Sequence, residues 1–137
     1  MYQSLTIVGN LGGDPESRTA PNGQPVTNFS VAVNRKWKDA AGQPQEETMW
    51  MKVAAWGKLG ENCAQYLAKG RQVLVVGRLT IDKKTGGPRL WQDNDGVWRA
   101  SFEIRAYEVK FLGSSGSNGS ADSAAEAAPA PEGEIPF

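Results

Sequence analysis

Trp50, Lys52 and Trp56 recur at every second or fourth position of an otherwise apolar segment, and Lys58 follows. In an extended strand, successive side chains point to opposite faces. Thr48, Trp50, Lys52, Ala54 and Trp56 then share one face, while Met49, Met51, Val53 and Ala55 form an apolar face suited to a core. An indole is a flat ring on which a nucleic-acid base stacks, a contact of about 1–3 kcal/mol per base that tolerates any sequence. A lysine between two such rings can meet a phosphate. The bland alternative is that both indoles cover a second core face. Five tryptophans, most of them close to Lys or Arg, favour the exposed platform.

Trp37 lies in Arg35-Lys36-Trp37-Lys38. By alternation it follows the core face of Phe29 and Val33, but its three cationic neighbours and a following turn suit a platform at a strand end. Lys83, Lys84 and Arg89 surround Gly86-Gly87-Pro88, and Trp91 follows, in a loop able to reach along a bound strand. Arg71 adds a further candidate phosphate contact.

Other chemistry is excluded. The chain has no histidine and one cysteine, Cys63, which removes the Ser-His-Asp triad, the Cys-His dyad, internal disulfides and multi-cysteine zinc sites. Cys63 reads as a small buried hydrophobe. Asp93 and Asp95 do not open a calcium loop, because the sixth position from Asp93 is Trp98 and the twelfth Ile104. Gly57-Lys58-Leu59 lacks the remainder of a phosphate loop, and Gly9, Gly12 and Gly13 do not match the dinucleotide fingerprint. No acid pair stands in a setting that suggests a carboxylate hydrolase. The expectation is a binding protein with no catalytic residue, metal or cofactor.

The elements that must position these residues are mostly strands. Residues 2–10, 26–36, 48–56, 72–81 and 97–111 read as five strands, and 59–69 as a helix carrying Leu59, Cys63, Tyr66 and Leu67 at helical spacing, with Gly70 as its stop. Phe29, Val31 and Val33 are expected on the core side, as are Val73, Val75, Leu79 and Ile81 in the fourth strand and Phe102 and Ile104 in the fifth. Ala41-Gly42-Gln43-Pro44 and Asp95-Gly96 are turn signals. Three strands, a short helix between strands three and four, then two strands is the order of the OB-fold, a five-stranded all-β Greek-key barrel.

The formal net charge of zero conceals an asymmetry. All 15 Lys and Arg precede residue 112, against 11 of the 15 acids, which leaves the body at +4 and the remainder at −4. A basic body suggests a polyanionic partner. Residues 113–131 are almost entirely Gly, Ser, Ala and Pro and contain no large apolar residue, which predicts a disordered linker. Large apolar residues return in Glu132-Gly133-Glu134-Ile135-Pro136-Phe137, which reads as a docking motif in which Ile135 and Phe137 are anchors, Glu132 and Glu134 acidic flanks and Pro136 a stiffener. Three units are thus expected: residues 1–112, 113–131 and 132–137. No run of about 18 apolar residues suggests a membrane helix. Met1 is not followed by the pattern of a secretory signal, so a cytoplasmic location is expected.

Several segments carry a resemblance. Val8-Gly9-Asn10-Leu11-Gly12-Gly13-Asp14-Pro15-Glu16, Arg18, Pro21-Asn22-Gly23, Trp50 before Val53, Trp56-Gly57-Lys58-Leu59, Tyr66-Leu67-Ala68-Lys69-Gly70 and the tip Ile135-Pro136-Phe137 closely resemble bacterial single-stranded DNA-binding proteins. The resemblance implies an OB-fold homotetramer that wraps single-stranded DNA without sequence preference and recruits replication and repair enzymes through its tip. It places Trp37, Trp50 and Trp56 on stacking positions, and Arg18, Lys52, Lys58 and Lys69 on basic positions near the DNA path. Three departures stand out: Glu-Gly-Glu replaces a run of aspartates in the tip, residues 83–98 do not align cleanly, and Met51 stands where some members have histidine. The competing class is an OB-fold accessory or RNA-binding module, which has no evident use for an Ile-Pro-Phe tip.

Overall fold

A computed structural model describes residues 1–113. The strands are β1 (Leu5–Leu11), β2 (Glu16–Thr19), β3 (Pro25–Lys38), β4 (Pro44–Trp56), β5 (Gln72–Leu79), β6 (Leu90–Gln92), β7 (Trp98–Ala100) and β8 (Phe102–Gly113), with helix α1 (Gly57–Tyr66) between β4 and β5. The main sheet runs β1-β5-β8-β4-β3-β2, and a further β1–β3 pairing at Asn10↔Ala32 and Leu11↔Val31 closes five of these strands into a barrel. This is the expected OB-fold topology, with β2 added beside β3. The β4–β8 pairing is parallel, with Met51↔Phe102, Val53↔Ile104 and Ala54↔Arg105 as partners.

Strict alternation builds the core. Phe29 and Val31 from β3, Met51, Val53 and Ala55 from β4, Val73 and Val75 from β5, and Ile104 and Ala106 from β8 are all buried together. Their period of two leaves the intervening side chains outside the barrel. Helix α1 adds Cys63 to this core, and Leu67, just past its end, adds another apolar side chain. Its approach is close: a Cβ at Gly60 would meet the Ala55 carbonyl oxygen at 2.3 Å, so only glycine fits. The Gly60 carbonyl accepts a hydrogen bond from buried Thr27 at 2.7 Å. Burial also pushes the Cys63 thiol up to about 11, so it is an inert core group, as expected.

Five boundaries or placements differ from the sequence expectation. Helix α1 ends at Tyr66, and Leu67 is already extended, turning its side chain into the core, whereas Tyr66 is 52% exposed. Strand β4 starts at Pro44 and pairs with β3 all the way to Lys38, making an arm beyond the barrel. Arg35–Glu47 at 3.4 Å and the Lys36↔Glu46 pairing support this arm through cross-strand charge, not apolar alternation. Strand β2 has four fully exposed polar residues and hence no pattern to find. The expected final strand is divided, and its first part, β7, forms a separate hairpin with β6 around the Asp95-Gly96 turn. Phe102, Leu79 and Ile81 are exposed despite their core parity, because they lie at or beyond strand ends, past the core.

Candidate nucleic-acid interface

The outer face of β4 and its neighbours forms the floor of an open groove of about 790 Å3, within the size range of ligand clefts. Strand register sets the floor as rows. Arg18, Val26 and Trp56 lie side by side across β2, β3 and β4. The next row is Glu16, Asn28, Ala54 and Arg105, and the next is Ser30, Lys52 and Glu103. Trp50 pairs with Ala32. One wall is the β1–β2 loop at Gly12, Gly13 and Asp14; the other is formed by Thr80, Arg89 and β8.

Trp50 and Trp56 therefore share one face, with Lys52 between them. Six residues of strand separate them by about 20 Å, so one base cannot touch both and they are independent platforms. Trp50 is 54% exposed, while Trp56 is half-buried, with the Arg105 guanidinium 5.3 Å from its ring centroid. Trp91 borders an adjoining hollow with Lys52, Arg89 and Leu90. The Lys52 ammonium lies 5.1 Å from the Trp91 ring centroid, and the Trp91 indole N–H donates to Ser101 Oγ at 3.2 Å. Cation–π contacts of this kind hold a ring and a cationic head group side by side.

The remaining candidates are dispersed. Arg18 and Lys52 line the groove. Arg89 also lines it, but its Nε and Nη2 both donate to the Glu103 carboxylate, at 3.2 and 2.9 Å. That pair raises the guanidinium above its ordinary value and ties the loop to β8, while the Arg89 side chain stays 60% exposed. Trp37 lies on the β3–β4 arm beneath Arg35, whose guanidinium is 4.2 Å from the ring centroid. It keeps the parity of Phe29 and Val31, opposite that of Trp50, and does not line the groove. Arg35, Lys36 and Lys38 are exposed along the same arm. Lys83 and Lys84 occupy an exposed turn in which Asp82 accepts from Lys84 and Gly86 backbone N–H groups. Lys58 is exposed on the first turn of α1, and Lys69 is held near the groove wall by its backbone N–H donating to Asp14 at 2.9 Å. Arg71 sits between α1 and β5, outside the groove, with its Nε buried and unpartnered among the described residues. Glu132, Glu134, Ile135, Pro136 and Phe137 lie outside the described residues.

Arg105 carries no signal in the sequence alone, and Trp98 closes the segment that does not align cleanly with the family. Arg105 is found by parity from the core residue Ile104, but only once β8 is known to lie beside β4. Trp98, paired with Gln92, is 65% exposed on the hairpin face opposite Trp91.

Comparison with known proteins agrees with this geometry. The family model described as "Single-strand binding protein family" matches residues 2–112. Single-stranded DNA-binding protein 1 of Chlorobaculum tepidum is 41% identical over 116 residues, covering 84% of this chain and 67% of that protein. The single-stranded DNA-binding protein of Neisseria meningitidis is 40% identical over 114 residues, covering 83% and 62%. The chain thus matches about two thirds of these relatives' own length. The crystal structure of the small single-stranded DNA-binding protein from Streptomyces coelicolor superposes with a TM-score of 0.65 at 28% identity, covering 80% of this chain and 93% of that one. The Plasmodium falciparum SSB complex with ssDNA shares the fold, with a TM-score of 0.67 at 24% identity over 82% of this chain and 96% of that one. The chain belongs to the single-strand binding protein family.

Proposed function

We propose that the protein binds single-stranded DNA without sequence preference, as a binding protein and not an enzyme. The observation that carries this is the outer face of β4, where Trp50 and Trp56 flank Lys52 in an open groove. Stacking platforms with interleaved cations suit unpaired bases, because a duplex hides its base faces inside the stack. Stacking and phosphate neutralisation need no contact with a base edge, so affinity is expected to come from them whatever the sequence. The names of the two bacterial relatives support the same partner. Competition of a fluorescent single-stranded oligonucleotide with unlabelled single strand, duplex and RNA tests it. Single strand displaces the label at far lower concentration than duplex; equal displacement by duplex contradicts the proposal.

The finer reading is coating of exposed strands during replication, recombination and repair in the cytoplasm. Residues 132–137 would dock partner enzymes, with Ile135 and Phe137 as apolar anchors in an acidic tip at the end of the Gly/Ser/Ala/Pro linker. A homotetramer, as in the resemblance, would cover apolar residues that the single chain leaves exposed, among them Val8, Tyr66 and Phe111 at 41%, 52% and 39%. Light scattering at micromolar concentration gives four times the chain mass on this account, and a monomer contradicts it.

A further inference from the structure

We propose that Gly12 is the positioning residue for Trp50: the space a side chain would fill at Gly12 receives the far edge of the indole, and this fit fixes how the ring presents its free face to a base. The inference rests on the stacking role proposed above for Trp50.

A methyl group at Gly12 would lie 2.5 Å from Cζ3 and 2.8 Å from Cη2 of Trp50, far inside the roughly 3.5–4.0 Å at which carbons touch favourably. The Gly12 backbone has little room to retreat, because its N–H donates to the Ser30 carbonyl on β3 at 3.0 Å. That bond continues the β1–β3 pairing that closes the barrel. Trp50 starts from β4, opposite the small residue Ala32 on β3, and its ring reaches across to the β1–β2 loop. Two small residues, Ala32 and Gly12, thus leave the passage that the indole occupies.

Gly12 is not there for its backbone. It is not among the residues with positive φ, so alanine is compatible with its conformation. In Gly12→Ala the element that yields is the end of a side chain already 54% exposed. The change therefore moves the ring at little cost to the fold. Gly13 is an internal control: it also lacks a positive φ, and a Cβ there meets nothing within 4 Å.

The test uses the full chain and a labelled oligothymidylate, read by fluorescence anisotropy. Melting temperatures are recorded for Gly12→Ala, Gly13→Ala, Trp50→Ala and the Gly12→Ala/Trp50→Ala double variant. Gly12→Ala is expected to weaken binding about three- to tenfold, a part of one stack. Its melting temperature stays within about 2 °C of the parent, as for surface substitutions. Gly13→Ala, on the same groove wall but with no side chain in the way of its methyl, weakens binding less than Gly12→Ala. In the Trp50→Ala background the Gly12 change has no further effect, because the two act through one ring. Parental affinity in Gly12→Ala overturns the inference, as does equal weakening with and without Trp50, or equal weakening by Gly13→Ala. If Trp50→Ala itself binds at parental strength, the stacking role is what fails.

Discussion

Trp50 and Trp56 sit on one strand face yet bear different structural loads. Trp50 is 54% exposed, so Trp50→Ala is expected to weaken single-strand binding by about 1–3 kcal/mol, with the melting temperature almost unchanged. Trp56 is half-buried under Arg105, and its alanine variant is expected to lose similar affinity and some stability as well. Parallel oligonucleotide titrations and thermal melts check both. A large fall in melting temperature for Trp50→Ala, with full affinity in the folded fraction, would return that ring to a structural role. The Trp50 face was legible because a period of two survives in Met49, Met51, Val53 and Ala55, which mark the core. Arg105 was not legible, because its place beside Trp56 depends on the parallel pairing Ala54↔Arg105, between residues distant in sequence. The Arg89–Glu103 pair was not legible either, because the two residues meet only in the fold. Trp37 kept the parity that argued against its joining the groove.

Among the elements, the β6–β7 hairpin has its own acid-sensitive clasp. Asp93 accepts from Arg99 Nε at 2.6 Å and from the Val97 and Asp95 backbone N–H groups, each at 2.9 Å. These bonds, the one from Arg99 foremost, hold its carboxyl below the ordinary carboxylate range. A lowered folded value means that the clasp contributes fully above the ordinary carboxylate range and is lost as pH falls below that range, through the lowered folded value. Protection of the Val97 and Gly96 amides from exchange, relative to the intrinsic rate at each pH, should fall there before that of the barrel amides, and Asp93→Asn should abolish that acid-dependent step. An identical acid profile in Asp93→Asn would assign the change elsewhere. The hairpin turn itself was legible from Asp95-Gly96, since glycine takes its positive φ of 81° readily. Strand β2 and the β3–β4 arm were not, because exposed polar strands are specified by their partners across the sheet.

For the whole molecule, charge divides the labour. The described body carries all 15 Lys and Arg, whereas residues 114–137 contribute acids only, so removal of 132–137 should leave DNA affinity unchanged or slightly higher and abolish recovery of partner proteins. Pull-downs from extract with full-length and shortened protein, alongside a DNA titration, check this; equal recovery contradicts the docking role. On the proposed function, unpaired bases stack on tryptophans in a groove whose cations meet phosphate. The most direct measurement is intrinsic tryptophan fluorescence during titration with single-stranded and duplex oligonucleotides at increasing salt. Strong quenching by single strand alone, weakening as salt rises with a log–log slope of about −0.7 per neutralised phosphate, is the predicted result. Duplex that quenches and binds as strongly as single strand at equal salt, or single-strand binding that leaves the fluorescence unchanged, would contradict it.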